Sequence, residues 1–224
     1  MQARLRKFTV VRFVAIAAAL STGGAAVAQM PGSPTLQNAF VNPGITAAVD
    51  ASGLGGATTY AAAAAWAPGS ARFQFSGGVG AQLRTGASTR TAYGARLNIP
   101  VIGATSSFGV SLFAGYGAIT GGAAMDSSVT KALIPVGATA SYRHAFGSRG
   151  FSIYGSPVFE SVTRGGGGSK ANVFRGAVGL DVGVTSAIGL TLGAEIGGKQ
   201  APESGKPSGT AFGAALSYAI GARR

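Results

Sequence analysis

Hydrophobic and polar positions alternate along much of this chain. Between Arg72 and Arg84, Phe73, Phe75, Val79, Ala81 and Leu83 share one parity, while Arg72, Gln74, Ser76, Gln82 and Arg84 share the other. Successive side chains of a β-strand point to opposite faces, so such a segment carries one apolar and one polar face. The pattern recurs and predicts ten strands, at residues 45–50, 58–67, 72–84, 90–99, 108–118, 130–143, 151–160, 172–185, 190–197 and 210–220. The first is the shortest. The turn-like links are Ala67 to Ser70, the stretch around Gly103, Gly147-Ser148, and Ser186 to Gly189. Looser links fall between them: Asp50 to Ala57, Thr85 to Thr89, Thr120 to Val129, Thr163 to Ala171 and Gly198 to Gly209. Short turns at one end and longer loops at the other are the build of an outer-membrane barrel.

The aromatic residues fall into two sets on the apolar parity. Trp66, Phe73, Phe108, Tyr142, Phe151 and Tyr218 lie near the short-turn ends of their strands. Tyr60, Tyr93, Tyr116, Phe159, Phe174 and Phe212 lie near the long-loop ends. Between the sets the same parity holds Ala62, Ala64, Leu112, Val136, Leu180 and Leu192. Two aromatic girdles bounding an aliphatic band match two membrane–water interfaces. A soluble β-sandwich would instead concentrate its aromatics at mid-strand. Hydrocarbon offers no hydrogen-bond partner, so a sheet in it must close on itself. The expected fold is therefore all-β: a closed antiparallel transmembrane barrel of ten strands, with eight as the alternative count.

The beginning of the chain sets the compartment. Arg4, Arg6, Lys7 and Arg12 precede a short apolar run from Phe13 to Leu20, and Ala26-Val27-Ala28 supplies a small-residue cleavage site. This is the pattern of a secretory signal peptide. The run is well short of the ~20 residues that span a bilayer as a helix. The expected organisation is a cleaved signal over 1–28, a periplasmic segment over 29–44 and the barrel over 45–224. The chain has no cysteine, so disulfides do not hold the exported protein together. With a single histidine, His144, a usual zinc site is excluded, and no cofactor is expected. After signal removal fourteen basic residues face six acidic ones. For an exported barrel the matching anion is lipopolysaccharide phosphate rather than nucleic acid.

The mature chain from about Ile45 resembles bacterial outer-membrane β-barrel proteins of the small porin-like or OmpX/OmpA-like group. The resemblance rests on the signal peptide, on RFQFSGGVGAQLR and FRGAVGLDVGVT, and on the closing GTAFGAALSYAI. It implies outer-membrane localisation and insertion by the barrel-assembly machinery, with Phe212, Leu216, Tyr218 and Ile220 as the terminal signal. Many members end on an aromatic residue; this chain continues through Gly221 and Ala222 to Arg223 and Arg224.

The polar parity collects the candidate chemistry. Arg96, Arg143, Glu160, Arg175, Asp181 and Glu195 are expected to form a charge network in the lumen. Glu160 would pair with Arg175 across the seventh and eighth strands, and Asp181 would face Glu195 across the next turn. Two facing carboxylates are the minimal acid/base pair of a hydrolase. Interior arginines neutralising them is the simpler reading, and no enzyme activity is expected. His144, placed at a turn beside Ser141 and Arg143, lacks the partners of a catalytic base. Gly165 to Gly168 is flexible loop material rather than a phosphate loop. Small inward residues such as Gly78, Gly137 and Gly193 would leave room for a narrow anion-favouring pore. Three functions follow: a structural or passive small-solute barrel, a surface-binding barrel acting through basic loops, and a hydrolase using Asp181 and Glu195. A monomer in contact with lipid and lipopolysaccharide is expected.

Overall fold

The computed structural model describes residues 41, 43–54, 57–86, 88–103, 106–120, 131–146, 149–164, 170–198 and 210–220. The expected signal peptide, most of the 29–44 segment, the glycines 165–168, and Lys199 and Lys206 lie outside the described residues. Ten strands form one closed antiparallel barrel. They are β1 (Gly44–Leu54), β2 (Ala57–Ala67), β3 (Gln74–Arg84), β4 (Arg90–Ile102), β5 (Phe108–Thr120), β6 (Lys131–Phe146), β7 (Arg149–Arg164), β8 (Lys170–Gly183), β9 (Ile188–Gly197) and β10 (Ala211–Ile220). Each strand pairs with its sequence neighbours, and β1 closes the ring on β10, with Ile45 opposite Ile220 and Gly53 opposite Phe212. The count is ten, not eight. The segment expected at 45–50 is a full strand of eleven residues. Its alternation of Ile45, Ala47 and Val49 with Ala48 and Asp50 continues unbroken to its pairing with both neighbours.

The connections are less lopsided than the sequence suggests. β1 and β2 are separated by residues 55–56, although a loose link was expected there. The runs 121–130 and 198–210 are the long ones. The strand pattern simply continues into what read as loop, because glycine and alanine carry little periodic signal. We call the end bearing the β2–β3, β4–β5, β6–β7 and β8–β9 connections the turn end, and the other the loop end.

Following the register from strand to strand gives a stagger of about twelve residues per circuit, the shear that closure of tilted strands requires. Three prolines sit inside strands, and each coincides with a fault in the ladder. The register shifts between Pro100 and Ile102, the β5–β6 pairing breaks at Pro135, and the β6–β7 pairing breaks at Pro157. Proline has no N–H to donate, so each costs a ladder bond. Gly137 answers the fault at Pro157: a Cβ there would lie 2.3 Å from the Pro157 carbonyl oxygen and 2.6 Å from the Phe113 ring.

Candidate functional site: the barrel lumen

The outward parity is apolar around the whole ring. Val49, Phe75, Val79, Leu112, Val178 and Leu216 are all more than half exposed. With the stagger taken into account, the two aromatic sets fall at two levels, roughly 18 Å apart at the usual strand rise and a tilt near 40°. Tyr60, Tyr93, Tyr116, Phe159, Phe174 and Phe212 occupy the loop-end level, all exposed. Trp66, Phe73, Phe108, Tyr142 and Tyr218 occupy the turn-end level, with Phe151 half-buried among them. Trp66 and Phe73 meet edge to face at 5.7 Å across the β2–β3 turn. His144 is not a turn residue. β6 runs on to Phe146, which puts His144 on the outward parity, opposite Phe151 in register and 5.9 Å from its ring.

The inward parity is polar, and at mid-barrel it is inaccessible. Arg175 and Glu195 are each 1 % exposed, and Asn98, Ser111 and Thr139 have no exposed surface at all. The Arg175 Nε donates to Glu195 Oε1, and its Nη1 donates to the Gly198 carbonyl at 2.6 Å. Gly197 permits this close approach: at φ +156° its Cβ would sit 2.6 Å from the Arg175 Cα. Arg96 points into the lumen from β4 and lies along the wall toward β5. Its guanidinium carbon lies 3.6 Å above the centre of the Phe113 ring, a cation–π contact, and its Nε donates to Asn98 Oδ1 at 2.7 Å. The Asn98 amide in turn donates to Gln74 Oε1 at 3.2 Å. Thr139 and Ser156 hydroxyls lie 3.1 Å apart on the adjoining wall.

One expected pairing differs from the one observed. Asp181 does not face Glu195. Asp181 lies opposite Thr191, whose hydroxyl donates to it at 2.5 Å, whereas Glu195 lies opposite Ala177. The two carboxylates are offset by four positions, about 13 Å along the strand. The reason is the position of the turn. It spans residues 184–187 rather than 186–189, and a two-residue displacement of a hairpin turn shifts its pairing by four. Glu160 is opposite Val173, which places Arg175 on the diagonal, within reach of a long side chain across β7 and β8. Arg143 lies at the turn-end mouth, where its Nε donates to the Ser106 carbonyl at 3.2 Å. It is no part of the buried centre.

Asp50, Phe113, Tyr154, Asn98 and Thr191 belong to the lumen and were not anticipated there. Parity within correctly bounded strands identifies all five. Asp50 escaped because its strand was ended on it, and Phe113 and Tyr154 because bulky apolar side chains on a polar parity read as noise.

Among the described residues Asp50, Glu160 and Glu195 are buried in the lumen and Asp181 is half-buried, alongside the buried guanidiniums of Arg96 and Arg175 and the half-buried ones of Arg90 and Arg143. Toward the turn end the lumen widens into a cavity of about 490 Å³, lined by Gln74, Arg143, Arg149, Ser152, Asp181 and Thr191 among others. Among the described residues no cluster of histidine and acidic side chains is arranged to hold a metal ion.

No protein-family model matches the chain, and no curated protein matches it in sequence. Among solved structures it is similar to a bacterial polysaccharide outer membrane secretin, at 8% identity and a TM-score of 0.48 over 79% of this chain. The chain spans 64% of that secretin's length. It is similar to the translocator domain of the autotransporter NalP from Neisseria meningitidis, at 11% identity and TM-score 0.46, over 79% of this chain and 87% of that one. The N-terminal β-barrel domain of Pseudomonas aeruginosa OprF matches at 6% identity and TM-score 0.37, over 80% of this chain and all of that one. Likeness at this level carries nothing about what the present barrel does.

Proposed function

We propose that the protein is a sealed outer-membrane barrel with a structural role in the envelope rather than a standing pore. The observation that carries this reading is the pairing of two surfaces. An unbroken apolar exterior bounded by two aromatic levels suits lipid, while a mid-lumen whose arginines, carboxylates and amide are shut off from solvent leaves no water path. A porin of the same strand count would keep its lining residues wet. The signal-like beginning of the chain and the closing strand Ala211–Ile220 support export and insertion by the barrel-assembly machinery as a monomer. This reading assigns no acid/base role to Asp181 and Glu195, which lie four register positions apart.

The test is reconstitution of the protein in liposomes with two readings. The folded band should migrate differently from the boiled one, and the vesicles should swell in small-sugar solutions no faster than empty ones. Solubility as a monodisperse species without detergent would contradict the membrane assignment. Rapid swelling would contradict the seal.

A second reading draws on the register at the loop end. Lys131 lies directly opposite Arg164, and Thr163 opposite Lys170. A rim with this placement suits the phosphates of lipopolysaccharide in the outer leaflet. Charge reversal at Lys131 and Lys170 together should weaken binding to lipopolysaccharide-containing vesicles and leave binding to zwitterionic vesicles unchanged. Equal binding of wild type and variant would sink this reading.

A further inference from the structure

Three glycines stand side by side in the barrel wall. The register sets Gly179 opposite Gly193 and Gly193 opposite Gly213, on β8, β9 and β10, and Ser52 of β1 continues the row. On the outer face two rows of side chains border this one. Val178, Ala194, Phe212 and Gly53 form one border, and Leu180, Leu192, Ala214 and Ala51 form the other. Between the borders lies an apolar groove of about 630 Å³, floored by glycine backbone and ending at Thr58 on β2. At Gly179 the floor is closed on the lumen side, because the Tyr154 ring occupies the place a Cβ would take.

Width and depth define what fits. The borders are two residues apart along each strand, about 7 Å, which leaves room for one hydrocarbon chain in single file. From β8 through β9, β10 and β1 to β2 the groove crosses four strand spacings, roughly 19 Å. It starts at Leu180 and Leu192, near the middle of the apolar band, and climbs past Phe212 of the loop-end aromatic level. That slanted run matches the depth of one leaflet, about half of a ~30 Å hydrocarbon core. A chain lying in a groove gains contacts on three sides, whereas one lying on a convex wall gains them on one. The outer face of a second barrel is convex and carries its side chains in broad rows, so it does not enter a slit of this width. At the upper end the register puts Arg84 of β3 opposite Ala57, diagonal to Thr58. A cation placed beside the mouth at headgroup level suits a phosphorylated headgroup.

We propose that this groove holds one acyl chain of lipid A, the phosphorylated glycolipid anchor of lipopolysaccharide, with a phosphate at the Arg84 rim. The proposal rests on the membrane-barrel reading, in which the loop end faces the leaflet that lipopolysaccharide occupies. It goes beyond that reading by fixing one lipid at one place on the wall, on the side formed by β8, β9, β10, β1 and β2.

The experiment is native mass spectrometry of the full protein released from nanodiscs of lipid A and phosphatidylglycerol in equal amounts. Wild type should retain one lipid A per barrel in preference to phosphatidylglycerol. A194F and A214F fill the groove and should lower that retention roughly fivefold or more. A114F puts the same bulk on the exposed outer face of β5, across the barrel, and should leave retention unchanged. R84E should lower retention of lipid A roughly threefold or more and leave that of dephosphorylated lipid A unchanged. Heat-modifiable migration and vesicle co-flotation are read on every variant first. A wild type that does not insert defeats the membrane reading itself. An inserted wild type that carries no lipid A, or carries phosphatidylglycerol equally well, overturns the groove proposal alone. Undiminished retention in folded A194F and A214F overturns it as well, and so does a wild-type dimer that A214F dissociates, which would give the groove to a second copy. Equal loss of phosphorylated and dephosphorylated lipid A in R84E overturns the headgroup assignment. If the phenylalanine variants do not fold, A194V and A214V narrow the slit with less bulk and carry the same reading: reduced retention supports the proposal and full retention overturns it.

Discussion

At the scale of single residues the barrel depends on a few buried polar commitments. Arg175 and Glu195 are removed from water together, and a charge buried without its partner is far costlier than the pair. Arg175→Met should therefore lower stability by roughly 3–5 kcal/mol, measured by urea titration of the folded band in detergent. Arg175→Met combined with Glu195→Leu should recover part of that loss, because the stranded carboxylate is gone. If single and double variants unfold at the same urea concentration, the pair is not the strut described here. Gly137 offers a second test. A methyl group there meets a carbonyl oxygen and the Phe113 ring, so Gly137→Ala should cost about 1–3 kcal/mol although alanine is common elsewhere in these strands. At this scale the sequence showed which side chains turn inward, since parity alone sorts Arg96, Glu160, Arg175 and Glu195 from their neighbours. It did not show who meets whom. Partner choice follows register, register follows the placement of a turn, and the run from Gly183 to Gly189 contains several equally good turn positions.

At the scale of elements the proposed membrane setting requires that one face of every strand meet lipid. Leu216 lies midway along β10, outward and half exposed. Leu216→Arg should destabilise the inserted barrel by about 2–4 kcal/mol, the cost of a cation near the bilayer midplane. The same change at Ile220, at the strand end, should cost about 1 kcal/mol or less. Equal effects at both depths would mean that the outer face does not sample a membrane gradient. The existence and order of all ten strands were legible, because each carries its own alternation. Their ends were not. β6 and β7 run to sixteen residues each, and β1 to eleven, well past the expected limits. Pairing to neighbours extends a strand through glycine, serine and alanine that no local signal marks, an instance of tertiary structure overriding propensity.

For the molecule as a whole, closure is the property that lets such a chain exist in hydrocarbon. β1 on β10 leaves no unpaired edge, so the backbone polar groups are satisfied within the sheet. The polar residues then face a volume from which lipid is excluded, and the apolar ones must have lipid. The chain's single tryptophan reports on that claim, because Trp66 sits on the outward face at the turn-end aromatic level. The decisive measurement is the quenching of its fluorescence in vesicles whose lipids carry bromine at known depths. Trp66 should be quenched most strongly by bromine near the interface and less by bromine at the bilayer centre, with water-soluble acrylamide reaching it poorly. Full quenching by acrylamide with no response to brominated lipid at any depth would place the apolar face in water and contradict the account.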